Sequence, residues 1–120
     1  YIIGKQENIE YINFNNGMGT KDLEEKFIQC IPQAHNEGVI FLTDLAGGTP
    51  FSTAVTLSQN IDGIYVLGGI NLPTILAALE YRDEGNLEDV VDDIINHGKE
   101  SLVTFQKQEL NNDLDNNDGI

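Results

Sequence analysis

The chain has 120 residues, enough for one domain with its own core, and its 40% hydrophobic content excludes a disordered chain. Six basic against 20 acidic residues give a net charge of −14, which excludes a basic nucleic-acid footprint and makes anionic membrane surfaces repulsive. That acidity serves either solubility or docking to a basic protein partner.

Ile9 to Phe14, rich in β-branched and aromatic residues, reads as a strand. A Gly- and Asn-rich turn follows, and Thr20 can cap a helix that carries Asp22 and Glu24 in its positive first turn. Leu23, Phe27 and Ile31 form one apolar stripe, and Pro32 ends or reshapes the helix. Val39-Ile40-Phe41-Leu42 is apolar without alternation, the pattern of a parallel strand buried on both faces. Thr49 as N-cap with Pro50 as first helical residue starts a helix that runs to about Gln59, with Ala54 and Leu57 packing inward.

The same grammar recurs. Gly63 to Leu67 is a strand, Gly68-Gly69-Ile70 a turn, and Asn71-Leu72-Pro73 opens a helix with Ile75, Leu76 and Leu79. Asn86 caps a further helix, Leu87 to His97, which Gly98 closes as a C′ residue. Leu102 to Phe105 is a last short strand, and residues 106–120 form an acidic Asn- and Asp-rich tail expected to be solvated and disordered. The order β-α-β-α-β-α-α-β predicts an α/β domain over residues 1–105, three-layered, with a mostly parallel sheet and helices on both faces.

Cys30 is the single cysteine, so no internal disulfide can form, and a lone thiol fits a reducing, cytoplasmic setting. No stretch reaches the ~18 consecutive apolar residues of a membrane span.

Ligands of parallel sheets bind beyond the carboxyl ends of the strands. Asp44-Leu45-Ala46-Gly47-Gly48-Thr49-Pro50-Phe51 lies at such an end. Its glycines admit a ligand to the backbone, the helix behind them offers unpaired N–H groups and a positive dipole end, and Thr49 adds a hydroxyl donor. Together these suit a phosphoryl group; the bland alternative is a plain strand-to-helix connection. Asp44 would repel phosphate, so it either holds the Nδ1–H of a histidine whose Nε2 is the nucleophile, or bonds backbone N–H groups in its own turn. Asn71 borders the same pocket from the second turn.

There is no Gly-Lys-Ser/Thr of a P-loop, no Gly-x-Gly-x-x-Gly, and no metal-ligand spacing among two histidines and one cysteine. His97 falls in the last turn of a helix, where the dipole favours a cation, and His35 lies in a connection at the opposite end of the sheet. Neither is placed to be the nucleophile.

With Asp44 to Phe51 and Gly69-Ile70-Asn71-Leu72-Pro73 in order, and Gln6-Glu7-Asn8 before the first strand, the chain resembles the IIA components of the mannose family of the sugar phosphotransferase system. The resemblance implies a cytoplasmic homodimer that takes a phosphoryl group from HPr onto a histidine and passes it to a IIB component. IIB in turn serves the membrane components IIC and IID, and no metal or nucleotide cofactor is implied. Asp44 matches the histidine's partner, and Gly47, Gly48 and Thr49 match the phosphate cradle. The exchanged edge strand of family dimers would be Leu102 to Phe105. The family's phospho-accepting histidine sits in a strand-His-Gly-helix unit that these residues lack. A segment of roughly 20 residues, the size of a strand, a helix and a turn, is therefore expected upstream of Tyr1. Two other readings stay open: a IIA-like regulatory module of a transcriptional regulator, and the phosphotransferase subunit of a dihydroxyacetone kinase.

Overall fold

The structure, a computed structural model, describes residues 8–31 and 38–107. Within them run α1 (Thr20–Cys30), β1 (Val39–Leu42), α2 (Thr49–Asn60), β2 (Ile64–Leu67), α3 (Leu72–Tyr81) and α4 (Leu87–Glu100). β1 and β2 pair in parallel, in register from Val39 opposite Ile64 to Leu42 opposite Leu67. α2 supplies the crossover that a parallel pair requires.

Alternation along the two strands divides the core. Ile40, Leu42, Tyr65 and Leu67 pack with Ala77 of α3 and Val90, Val91 and Ile94 of α4. Phe41 and Val66, one residue out of phase, pack with Leu23 and Phe27 of α1 and Ala54 and Leu57 of α2. The Phe27 and Phe41 rings lie 4.9 Å apart and tilted, a favoured aromatic geometry. β1 is half-buried throughout rather than fully buried. The pair of strands leaves each with one edge unpartnered among the described residues.

Two expected strands find no pairing partner among the described residues. Ile9 to Phe14 makes no ladder among the described residues, although Ile12 still packs against the α1–α2 cluster. Leu102 to Phe105 likewise has no ladder and lies exposed. β-branched and aromatic residues favour extended backbone, but a strand exists only where a neighbour supplies its hydrogen bonds. Of the expected tail, Gln106 and Lys107 are exposed and residues 108–120 lie outside the described residues, as does His35.

Helix starts also differ in detail. Gly19, not Thr20, is the N-cap of α1, and the Asp22 carboxylate accepts its N–H at 3.1 Å. Gly48, not Thr49, is the N-cap of α2, so Pro50 stands second in the helix. Asn71 and Asn86 cap α3 and α4 as expected, with Oδ1 accepting from Thr74 N at 3.1 Å and Asp89 N at 2.9 Å.

Gly98 departs most from its expected role. It does not stop α4, which continues to Glu100. Its value is in packing, because a Cβ there would lie 2.3 Å from Thr74 Cγ2 on α3. Small residues at the contact, Ala77 and Gly98, let α3 and α4 approach closely. This explains why Thr74 and Ala77 are buried while Ile75, Leu76 and Leu79 are only half-buried. Gly→Ala inside a helix ordinarily stabilises by about 0.5–1 kcal/mol. Here overpacking of about 1–3 kcal/mol should outweigh that gain, so Gly98→Ala is expected to lower the thermal midpoint. Thr74→Ser in the same chain removes Cγ2 and should restore most of the loss; a stabilising Gly98→Ala would contradict the contact.

Candidate functional site

The carboxyl ends of β1 and β2 are tied together by one residue. Thr43, buried, donates its N–H to Leu67 O at 2.8 Å and its hydroxyl to the same oxygen at 3.0 Å. Its own carbonyl accepts Ile70 N–H at 3.2 Å. The two strand-to-helix loops are thereby fixed side by side. Gly68 completes their contact: a Cβ there would lie 2.7 Å from Ala46 Cα and 2.9 Å from Phe51 Cδ2. The sequence marks this glycine only as part of a turn, and its role as a close-packing residue shows only in three dimensions.

Beyond the clamp, Asp44 is exposed at the head of the first loop. The loop turns tightly, with Gly48 N–H donating to Leu45 O at 3.1 Å. Gly47 adopts φ +85°, which other residues take only with strain, and a Cβ there would meet nothing within 4 Å. The turn thus has open space beside its backbone. α2 then begins without a side-chain cap and without an acidic residue in its first turn. The first intrahelical bond is Ser52 N–H to Gly48 O at 2.9 Å, so the earlier N–H groups of Thr49 and Phe51 have no acceptor within the helix. This leaves the positive end of the α2 dipole uncompensated, one loop away from the Asp44 carboxylate.

The second loop is built differently. Asn71 caps α3 with Oδ1, and its Nδ2 donates to Gly98 O at 3.3 Å and lies 3.5 Å from Ser101 Oγ. The side chain that the sequence places beside the pocket is occupied in holding α3 and α4 together.

His97 is held on the α3–α4 pair. Its Nδ1 lies 3.0 Å from Asp93 O and its Nε2 3.3 Å from the Tyr81 hydroxyl, with the two rings 5.1 Å apart. Burial, then the carboxylates of Glu80, Asp93 and Glu84, raise the Tyr81 pKa. Tyr81 therefore keeps its proton at neutral pH and can donate it to Nε2. The Cys30 thiol is raised by burial and then by Glu10, which disfavours the nucleophilic thiolate. A shallow groove at the start of α1, lined by residues such as Asn15, Met18, Asp22 and Lys26, includes none of the residues of the Asp44 loop. Among the described residues, no group of three or more His, Cys, Asp or Glu could hold a metal ion, and no helix is long and apolar enough to cross a membrane.

Fold and site together define a small α/β domain in which α2 starts, without a side-chain cap or an acidic first turn, at the carboxyl ends of parallel strands. Residues 1–95 match the family described as "PTS system fructose IIA component". The chain is 32% identical over 96 residues to the fructose-specific EIIA component of Bacillus subtilis, covering 78% of this chain and 64% of that protein. It is 30% identical over 107 residues to the mannose-specific EIIAB component of Escherichia coli K12, covering 88% of this chain and 33% of that protein. It therefore spans less than two thirds of the length of either relative. Among solved structures, a phosphotransferase system component EIIA from Streptococcus agalactiae superposes with a TM-score of 0.80 at 34% identity, over 87% of this chain and 81% of that one. This chain belongs to the mannose family of IIA components of the sugar phosphotransferase system.

Proposed function

We propose that the protein is a histidine phosphoryl carrier that accepts its group from HPr and delivers it to a IIB component, which passes it to the incoming sugar. The observation that carries the reading is the uncapped, acid-free start of α2 directly behind the exposed Asp44. The Gly47–Thr49 backbone and the Thr49 hydroxyl receive the phosphoryl oxygens. Asp44 holds Nδ1–H of the acceptor histidine, so that the Nε2 lone pair attacks phosphorus as the P–N bond to the HPr histidine breaks. The carboxylate also stabilises the imidazolium character of the phosphorylated ring. No metal or nucleotide takes part.

The acceptor histidine in this reading is neither His35 nor His97. His97 is committed to Tyr81 and Asp93 on the α3–α4 pair, which supports an acceptor outside these residues. Thr49→Ala should cost about 1–3 kcal/mol of transition-state hydrogen bonding, measured as slower transfer from phospho-HPr with the fold intact. An unchanged rate would remove Thr49 from the cradle.

The proposed domain is residues 1–105, in three layers, and works as a cytoplasmic homodimer that reaches the membrane components IIC and IID only through IIB. Leu102, Val103 and Phe105 are 84%, 81% and 91% exposed, an apolar strip with no partner among the described residues. A second copy that pairs or exchanges this strip would cover it. Sedimentation at tens of micromolar should show a dimer, since an obligate pair persists at that concentration. A monomer there would count against exchange.

A further inference from the structure

Asn71 has a place in the site that its cap alone does not explain. Its main-chain N–H and side-chain Oδ1 are both engaged with Thr74, at 3.0 and 3.1 Å, which fixes the start of α3. Its Nδ2 holds the last turn of α4 at Gly98 O, 3.3 Å away, with Ser101 Oγ at 3.5 Å. On the other side, its neighbour Ile70 donates to Thr43 O at 3.2 Å, and Thr43 immediately precedes Asp44. A continuous path of peptide and hydrogen bonds thus joins the end of α4 to the carboxylate: Gly98, Asn71, Ile70, Thr43, Asp44. The path begins where the chain leaves α4 toward the exposed 102–105 strip. Each link is short-range, and Gly68 packed against Ala46 leaves the loops little room to move independently.

We propose that Asn71 is a positioning residue for phosphoryl transfer, acting through Asp44: by latching the second loop to the end of α4 it sets where the first loop presents its carboxylate. The inference rests on the phosphoryl-carrier reading above. It adds that the amide nitrogen of Asn71, not its cap oxygen, is the group that matters to the chemistry. Coupling along this path is read by a double-mutant cycle with Asp44.

The discriminating variant is Asn71→Asp in the full-length protein. It keeps a capping oxygen for Thr74 N–H and loses both Nδ2 donations. Asn71→Ser also keeps a capping oxygen, is too short to reach Gly98, and adds no charge. With phospho-HPr as donor, both should slow the transfer step by up to ~10²-fold, the scale on which misplacing a reacting group by an ångström acts. The KM for phospho-HPr should stay unchanged. On an Asp44→Asn background the same substitutions should add little, because the group they position is already gone. Three results would overturn the inference: transfer at the wild-type rate in both variants, full additivity with Asp44→Asn, or melting points that fall by more than about 10 °C in both, which would make Asn71 a folding residue. Wild-type protein that takes no phosphoryl group from phospho-HPr would instead defeat the functional reading itself.

Discussion

Asp44→Asn in the full-length protein is expected to leave the fold intact and slow phosphoryl transfer from HPr more than any other single change in the loop. The substitution is nearly isosteric, and Asp44 is exposed, so it removes charge without opening a cavity. An asparagine can still face the ring, but it cannot stabilise imidazolium character, and it can present an N–H where the histidine needs an acceptor. Loss of the carboxylate that orients a catalytic histidine costs ~10⁴-fold in a hydrolase. The effect here should be smaller, ~10²-fold or more, because the phosphohistidine donor is already reactive. Single-turnover transfer from phospho-HPr reads it directly. A wild-type rate would show that Asp44 serves only its own turn.

Ile94→Ala is the substitution expected to hurt stability most. Ile94 is fully buried, at 0% exposure, between α4 and the face of the sheet formed by Ile40, Leu42 and Leu67. Removing three carbons there loses transfer free energy and leaves a cavity, together about 2–5 kcal/mol. That is a large share of the 5–15 kcal/mol typical of a whole domain. At about 4 °C per kcal/mol for a domain of this size, the thermal midpoint should fall by roughly 8–20 °C. Ile95→Ala is the matched control: Ile95 is 37% exposed, and its loss should cost under about 1 kcal/mol. Equal losses at the two positions would mean that α4 presents a different face to the sheet.

The sequence is most legible where local chemistry decides structure. Asn71 and Asn86 announce helix starts because a side-chain oxygen one residue before a helix has one obvious acceptor role, and both perform it. The 3.6-residue spacing of Leu23 and Phe27, and of Val90, Val91 and Ile94, finds the buried faces. β1 and β2 are readable as unbroken apolar runs. The Asp44–Thr49 loop is readable because a carboxylate, two glycines and Thr-Pro coincide at a strand end.

What the sequence hides depends on partners distant along the chain. Gly98 reads as a stop signal, since glycine near a helix end commonly is one; only Thr74, on another helix, reveals that the missing side chain is the point. Gly68 is hidden in the same way beneath Ala46 and Phe51. Ile9–Phe14 and Leu102–Phe105 have strand composition, yet pairing is a property of two segments and composition describes one. Asn71 is visible as a cap and invisible as a latch, because nothing local points to Gly98 O, 27 residues away.

The Asp44 loop is proposed to serve a phosphoryl-carrying histidine that is not among these residues. The most direct measurement is to incubate the full-length protein with phospho-HPr and map the modified residue by mass spectrometry under alkaline conditions that preserve phosphohistidine. One phosphoryl group per chain is expected, on a histidine other than His35 and His97. Phosphate on either of those two, or none at all, would contradict it.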